Sequence, residues 1–304
     1  MKYMTELKSI VEGIILENEP MAFHTSYGIG GPVNAYITPK DKKDLANILR
    51  FLNKYSIETH FIGSGSNLLV SDSGIDGIVL TPAKSLNDLE INGEFVTAES
   101  GVMLGKLVKE CIKRNLSGVE SLIGVPGTLG GALVMNAGAF GKEISNYLES
   151  VDIMNLRGEI ITYRRKDIDF AYRFSSIKTN EFVLTARFKF NEEKAEIISK
   201  KRLKASTGRK TNQPLRYRSA GSVFKNPKEN AAGFFIDQAG LKGTKIGNAE
   251  ISNHHANFFV NHGQASCADI TELIRLTRKK VFKKFGIKLE LELKTIGIDI
   301  SELE

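Results

Sequence analysis

An α+β fold is what this sequence predicts, and three observations lead there. The composition is globular, with 41% hydrophobic and 25% charged residues over 304 residues, enough for about two domains. Stretches with apolar residues at helical spacing lie on both sides of a β-rich run from Val151 to Phe190. Strands and helices do not alternate strictly, so the pattern is mixed α/β to α+β.

Taken in order, Thr5 to Glu17 reads as a short amphipathic helix with Leu7, Ile10, Val11, Ile14 and Ile15 on one side. Asp41 to Lys54 is a helix with Leu45, Ile48, Leu49 and Leu52 at core spacing. Thr59-His-Phe-Ile-Gly is a strand running into a glycine loop, and Leu68-Leu-Val continues as strand. Ile78-Val-Leu and Phe95-Val-Thr-Ala are further strands, and Val102 to Asn115 is a helix turning Leu104, Leu107, Val108, Cys111 and Ile112 inward. The β-rich run ends in Phe182–Phe190, which alternates apolar and polar positions. Glu192 to Lys210 is charged and helical, Gln213-Pro marks a boundary, and Ala231 to Ala239 is a small helix. Ser266 opens a helix with Asp269 three residues on, a capping-box arrangement, and Ile270, Leu273, Ile274, Thr277 and Val281 are its buried face. Lys288 to Ile296 closes as a strand on which Glu290 and Glu292 share one face.

Lys plus Arg is 42 against 35 for Asp plus Glu, a net charge of +7. Such a balance suits an enzyme of phosphorylated ligands and a nucleic-acid binder alike. The lysine runs at 200–204 and 279–284 lack the interleaved aromatics of a single-strand binder. No apolar run approaches the ~20 residues of a membrane span. The segment Met1 to Lys8 has no apolar signal core, so a cytoplasmic protein is expected. Cys111 and Cys267 are too few for a disulfide framework and fit a reducing compartment. Cys267, near a helix start, is placed for a lowered pKa. His254-His255 has no Cys, Asp or Glu at ligand spacing, and no metal is expected.

The 28 glycines, against 7 prolines, gather in three clusters. Gly28, Gly30 and Gly31 form the first, Gly63 and Gly65 the second, and Gly124 to Gly141 the third. Glycine is needed where the backbone takes positive φ or touches something closely, so the clusters suggest a ligand wrapped by backbone. Gly63-Ser-Gly-Ser-Asn-Leu lacks the third glycine of a dinucleotide fingerprint and continues as strand rather than helix, and no P-loop motif occurs. A tight turn explains Gly63 and Gly65; a pyrophosphate cradle also explains Ser64, Ser66 and Asn67. On that loop alone both readings stand. Between Gly124 and Gly141, six glycines and a proline accompany Val125, Leu129, Ala132, Leu133 and Val134, which is no flexible linker. Backbone packed against a flat ligand leads there over tight internal packing.

Four further positions carry candidate chemistry. Arg173, in Phe170-Ala-Tyr-Arg-Phe-Ser-Ser, is a charge in an apolar, hydroxyl-rich stretch, suited to gripping a carboxylate, although a lone arginine is more often surface decoration. Ser222, in Ala220-Gly-Ser-Val-Phe-Lys-Asn-Pro, is not a hydrolase elbow and by itself reads as a turn serine. Glu290 and Glu292 are solvent-facing unless their face lies in a cleft, where one carboxyl would serve as acid or base.

In chain order, Tyr27-Gly-Ile-Gly-Gly, Gly63-Ser-Gly-Ser-Asn-Leu-Leu-Val-Ser-Asp, Gly124-Val-Pro-Gly-Thr-Leu-Gly-Gly, Asn136-Ala-Gly-Ala, Tyr172-Arg173, Gly221-Ser-Val-Phe-Lys-Asn-Pro, His255-Ala-Asn-Phe and Leu289-Glu-Leu-Glu together resemble the UDP-N-acetylenolpyruvoylglucosamine reductase family over nearly the whole chain. Tyr172-Arg173 followed closely by Ser175-Ser176 resembles its shorter form, without the inserted tyrosine loop. The resemblance implies an α+β protein with a two-part FAD-binding region of the vanillyl-alcohol-oxidase/PCMH type and a C-terminal α+β substrate-binding domain. Subdomain 1 would span 1–81, subdomain 2 82–204 and the substrate domain 205–293, with the tail 294–304 returning to the first.

By the same resemblance, FAD is bound tightly but non-covalently by Gly63, Ser64, Gly65, Ser66, Asn67 and Leu68. Gly124, Pro126, Gly127, Thr128, Gly131, Asn136, Ala137 and Gly138 complete that cofactor site. NADPH is the implied co-substrate, reducing the flavin and leaving before the enolpyruvyl sugar nucleotide enters. Hydride from flavin N5 then reaches the enol-ether carbon, Arg173 and Glu292 stabilise the enolate, and Ser222 protonates it, resupplied through Lys225. Tyr172, Lys210 and Asn226 contact the substrate. A monomer without nucleic-acid or membrane partners is implied. Two departures stand out: Gly28 lies where the family often has a basic residue, and Arg218 lies where it usually has proline. The competing readings are another flavin-dependent oxidoreductase of this fold and, further off, a basic nucleic-acid-binding protein.

Overall fold

The computed structural model describes residues 3–303 and divides the chain into two units. Met1 and Lys2, at the start of the expected first region, and Glu304, at the end of the expected tail, lie outside the described residues. The first unit takes the chain up to Glu17, Ala35–Ser64 and Gly77–Gly208; the second takes Asn18–Asn34, Gly65–Asp76 and the chain from Arg209 onward.

An antiparallel five-stranded sheet in the order Ile160–Arg164, Leu148–Asn155, Glu181–Lys189, Phe95–Glu99, Leu89–Asn92 organises the first unit. Helix Leu104–Lys113 shares its core, with Leu104, Leu107, Val108 and Cys111 buried alongside Val96, Ala98, Val151, Ile153 and Phe188. Strand Glu181–Lys189 does not alternate as expected: Phe182, Val183, Leu184, Thr185 and Ala186 are all buried. It is the central strand of its sheet, so core covers both faces and the polar side of the pattern is lost. A four-stranded sheet has the order Ile14–Pro20, Pro32–Thr38, Ile75–Leu80, Thr59–Phe61, the last two parallel. Helix Lys42–Lys54 buries Leu45, Ile48, Leu49 and Leu52 with Ala35, Ile37, Ile78 and Leu80 in one cluster. Asp41 caps that helix by accepting the Asp44 N–H at 2.9 Å.

The expected helix over Thr5–Glu17 is shorter, Met4–Ile10, and Ile14–Pro20 is a strand. The cause is tertiary: the buried Asp44 carboxylate accepts the N–H groups of Glu12 and Gly13, each at 3.0 Å. A β-carbon on Gly13 would overlap the Thr38 carbonyl oxygen.

In the second unit an antiparallel sheet, Lys245–Ile246, Ala249–Ile251 and Phe259–Asn261, shares a core with helix Cys267–Phe285. That helix has the expected Ser266/Asp269 capping box, ends at left-handed Gly286, and buries Ile270, Leu273, Ile274, Thr277 and Val281. Strand Lys294–Ile296 pairs in parallel with Leu68–Val70. The continuous strand expected over Lys288–Ile296 is broken. Phe224 and Leu291 form an isolated bridge, Glu292 and Leu293 both donate to the Val223 carbonyl at 2.9 and 3.2 Å, and Lys294 then turns to the Asn67 carbonyl at 3.1 Å. Two donors on one acceptor shift the register, and the partner changes with it. Among the described residues no helix is long and apolar enough to cross a membrane.

Candidate active site

In the first unit, strand Thr59–Phe61 delivers the chain to Gly63 and Ser64. A β-carbon on Gly63 would overlap Thr128 Oγ1, so glycine serves close approach at this position. Thr81 Oγ1 donates to the Gly63 carbonyl at 3.1 Å, and Thr128 Oγ1 caps helix Leu129–Val134 by accepting the Gly131 N–H at 3.5 Å. The Ser64 hydroxyl is buried with no hydrogen-bond partner among the described residues.

Within the third cluster the local reason for glycine differs from residue to residue. Gly130 is a packing glycine: a β-carbon would lie 3.0 Å from Ser100 Cβ, and its N–H donates to the Ser100 carbonyl at 2.9 Å. Gly124 and Gly127, flanking Val125 and Pro126, have φ of +77° and +128°, which L side chains avoid. Gly131 has only Thr128 Oγ1 near its missing β-carbon, at 3.7 Å, so protein packing does not demand glycine there.

Asn136, fully buried at φ +43°, donates through Nδ2 to Glu143 Oε2 at 2.7 Å and to the Ala171 carbonyl at 3.0 Å. Ala137 accepts the Ile144 N–H at 2.9 Å, and a β-carbon on Gly138 would sit 3.5 Å from Arg173 Nη1. Ala171 precedes Tyr172-Arg173, the two-residue turn of hairpin Phe170–Ala171/Phe174–Ser175. Arg173 has φ +56°, a left-handed conformation costing a non-glycine residue about 1–2 kcal/mol. Strain of this kind clusters at functional positions. The guanidinium lies 4.9 Å from the centre of the Tyr172 ring, and Ser175 Oγ ties the hairpin to the Val134 carbonyl at 2.8 Å.

The second unit holds Gly65 at φ +64°, where a β-carbon would overlap the His24 carbonyl oxygen. Half-buried Ser66 follows, then Asn67, whose Nδ2 donates to the Glu292 carbonyl at 2.9 Å, then Leu68, buried in its strand. Ser222 bridges to Phe258 and precedes Val223, whose carbonyl takes the Glu292 N–H, so Ser222 and Glu292 are linked through the Val223 backbone. Lys225 Nζ rests 3.6 Å from Glu290 Oε2, and Asn226 Oδ1 accepts the Ala232 N–H at 3.0 Å. Lys210 is exposed in the last turn of helix Ala195–Asn212.

Sequence reasoning missed two supports. Buried Asn257 accepts the Phe224 N–H at 3.0 Å and donates to its carbonyl at 2.8 Å, and its own carbonyl accepts the Val223 N–H at 2.9 Å. Its signal was its place in His255-Ala-Asn-Phe, a motif given no role. Its N–H donates to His255 Nδ1 at 3.2 Å, and burial holds the His255 pKa below the ordinary imidazole value. Glu143, which accepts from Asn136, carried no signal. Cys267 is corrected in sign: burial pushes its thiol up to about 11, and the helix start does not activate it.

Left-handed glycines, Gly63 pressed on Thr128, and the oxygens of Ser64, Ser121 and Asn136, buried with no partner among the described residues, fit a phosphate- and ring-bearing group such as FAD, held by backbone and hydroxyl contacts. Residues 33–164 match the FAD binding domain family, and residues 213–296 match the UDP-N-acetylenolpyruvoylglucosamine reductase C-terminal domain. The chain is 39% identical to the UDP-N-acetylenolpyruvoylglucosamine reductase of Clostridioides difficile, covering 98% of both chains. It is 41% identical to that of Carboxydothermus hydrogenoformans over 97% of this chain and 98% of the relative. The crystal structure of the Thermus caldophilus reductase superposes with a TM-score of 0.81 at 32% identity, covering 94% of this chain and 99% of that one. The chain therefore belongs to the UDP-N-acetylenolpyruvoylglucosamine reductase family, FAD-dependent oxidoreductases of peptidoglycan precursor synthesis.

Proposed function

We propose that the protein reduces UDP-N-acetylglucosamine enolpyruvate to UDP-N-acetylmuramate with electrons from NADPH, acting as a cytoplasmic monomer. The loops named below would hold FAD, which when bound would supply the hydride for the enol-ether carbon. Residues 1–81 and 82–204 would form the FAD-binding region and 205–293 the substrate domain, with the tail 294–304 returning to the first. Gly63 to Leu68, with Gly124, Pro126, Gly127, Thr128, Gly131, Asn136, Ala137 and Gly138, would hold the cofactor, and Tyr172, Lys210 and Asn226 the sugar nucleotide.

Hydride addition leaves negative charge on the neighbouring carbon and its carboxylate. Arg173, permanently charged, is the proposed counter-charge, and preorganised charge of this kind supplies a few kcal/mol of barrier lowering. Glu292, carrying or sharing a proton, would hydrogen-bond the same enolate. Ser222 would then protonate the carbon; a hydroxyl is a weak acid and needs resupply, for which Lys225 is the nearest candidate along the chain. The observation that carries the reading is that Val223, the residue after Ser222, accepts the Glu292 N–H, with Asn67 donating to the Glu292 carbonyl. An acid and an enolate-stabilising carboxyl must act on one small group, and adjacent backbone positions supply that proximity.

The test is NADPH consumption by FAD-supplemented protein, with and without the enolpyruvyl sugar nucleotide. Strong dependence on the sugar nucleotide, with the lactyl ether as product, is expected. Consumption that needs oxygen and ignores the sugar nucleotide would replace this reading with another flavin oxidoreductase.

A further inference from the structure

Tyr27-Gly-Ile-Gly-Gly closes a turn in the second unit. Gly28 N–H donates to the Thr25 carbonyl at 3.0 Å and Ile29 N–H to Thr25 Oγ1 at 3.2 Å. Gly28 has φ +66°, and a β-carbon there would overlap Arg218 Nη1, with Arg218 Cζ and Cδ next nearest at 3.0 and 3.1 Å. The guanidinium occupies the space a side chain at position 28 would take. One buried residue holds both partners: Asn261 N–H donates to the Arg218 carbonyl at 2.9 Å, and its Nδ2 donates to the Tyr27 carbonyl at 2.8 Å. Arg218 is exposed, and among the described residues no carboxylate pairs with it. The same turn backs the second glycine loop, since Ser26 N–H donates to the Gly65 carbonyl at 3.0 Å.

We propose that Arg218 is a diphosphate-binding residue and that position 28 is glycine in order to seat its guanidinium. The proposal rests on the flavin and sugar-nucleotide reading above, both of whose nucleotides carry a diphosphate. A guanidinium with no carboxylate partner among the described residues, steered by a glycine seat and a buried asparagine, presents a planar fork suited to phosphate oxygens. The pair also joins the two departures from the family pattern: the positive charge missing at position 28 stands over it, delivered from position 218.

Arg218→Ala, Arg218→Lys and the unaltered protein would be compared in two titrations at low and moderate salt. One follows flavin fluorescence as FAD is added to apoprotein; the other follows heat as UDP-N-acetylglucosamine is added to holoenzyme. Arg218→Ala should weaken one ligand about tenfold and flatten its salt dependence, with lysine restoring part of the loss. Loss in the FAD titration makes the cofactor's diphosphate the ligand; loss in the UDP titration makes it the substrate's. Unchanged affinity for both overturns the proposal. Gly28→Ala should weaken the same ligand in the native background and far less in Arg218→Ala. Equal losses in both backgrounds overturn the seating. Failure of the unaltered protein to bind FAD would sink the flavin reading itself, and the UDP-N-acetylglucosamine titration, then run on the protein without flavin, would still decide Arg218.

Discussion

Ser222 stands between two held segments, bridged to Phe258 on one side and followed by Val223, which accepts from Glu292. In the proposed reaction it acts only after hydride has moved, so the two half-reactions should separate on substitution. Ser222→Ala is expected to leave the rate of flavin reduction by NADPH unchanged. Turnover of the enolpyruvyl substrate should fall by about 10²–10⁴, the usual worth of a positioned proton donor. Stopped-flow flavin absorbance reports the first half and product formation the second. Equal slowing of both would make Ser222 a structural residue. Asn257 is the residue on which its placement depends, because it satisfies Phe224 through both amide atoms one position beyond Val223.

At the scale of elements, the glycine-rich segment is approached through the turn Glu120–Leu122, and a buried carboxylate holds that turn. Glu120 accepts from Ser117 Oγ at 2.6 Å and from the Gly118 N–H, with Lys201 Nζ of helix Ala195–Asn212 at 3.5 Å. Burial pushes the carboxyl up, but these donors and the Lys201 charge outweigh it and hold its pKa below the ordinary carboxylate value. A depressed folded-state pKa contributes stability that is present above the unfolded pKa of ~4.3 and lost as pH falls through the folded value. Glu120→Gln should therefore cost about 2 kcal/mol near neutrality, and the gap to the unaltered protein should narrow towards about pH 3. Urea unfolding at the two pH values measures it; an equal gap at both would assign the loss to packing. Elements like the helix Cys267–Phe285 were legible because period and cap lie within the element, as Ser266 and Asp269 do. Ile14–Pro20 was not, because Asp44, far along the chain, claims the N–H groups that a helix through Gly13 would need. The site divides the same way: the glycine loops are readable one residue at a time. The Asn257 clamp and the seating of Arg218 on Gly28 are long-range contacts with no local pattern.

Across the whole molecule, a net charge of +7 favours anionic ligands without choosing among them, and in the proposed function the choice falls to the glycine loops. Those loops and the Glu120–Leu122 turn hold polar atoms, Ser64 Oγ, Ser121 Oγ and Asn136 Oδ1, that are buried with no partner among the described residues. Each such group costs the folded state about 1–3 kcal/mol unless a partner arrives. A dinucleotide that supplies partners binds the folded chain and not the unfolded one, so it must raise stability by mass action. At FAD near a hundred times its dissociation constant the gain is about 2.7 kcal/mol, which for a chain of this length moves the melting temperature by roughly 5 °C. FMN at the same concentration keeps the ring and one phosphate but lacks the diphosphate and adenosine, so its shift should be much smaller. Differential scanning fluorimetry of apoprotein with each flavin separates the cases. A full shift with FMN would place recognition on the ring and remove the diphosphate from the role assigned to the Gly63 to Leu68 loop. No shift with either would mean that the unpaired oxygens are satisfied by something other than a flavin, and the cofactor assignment to these loops would fall.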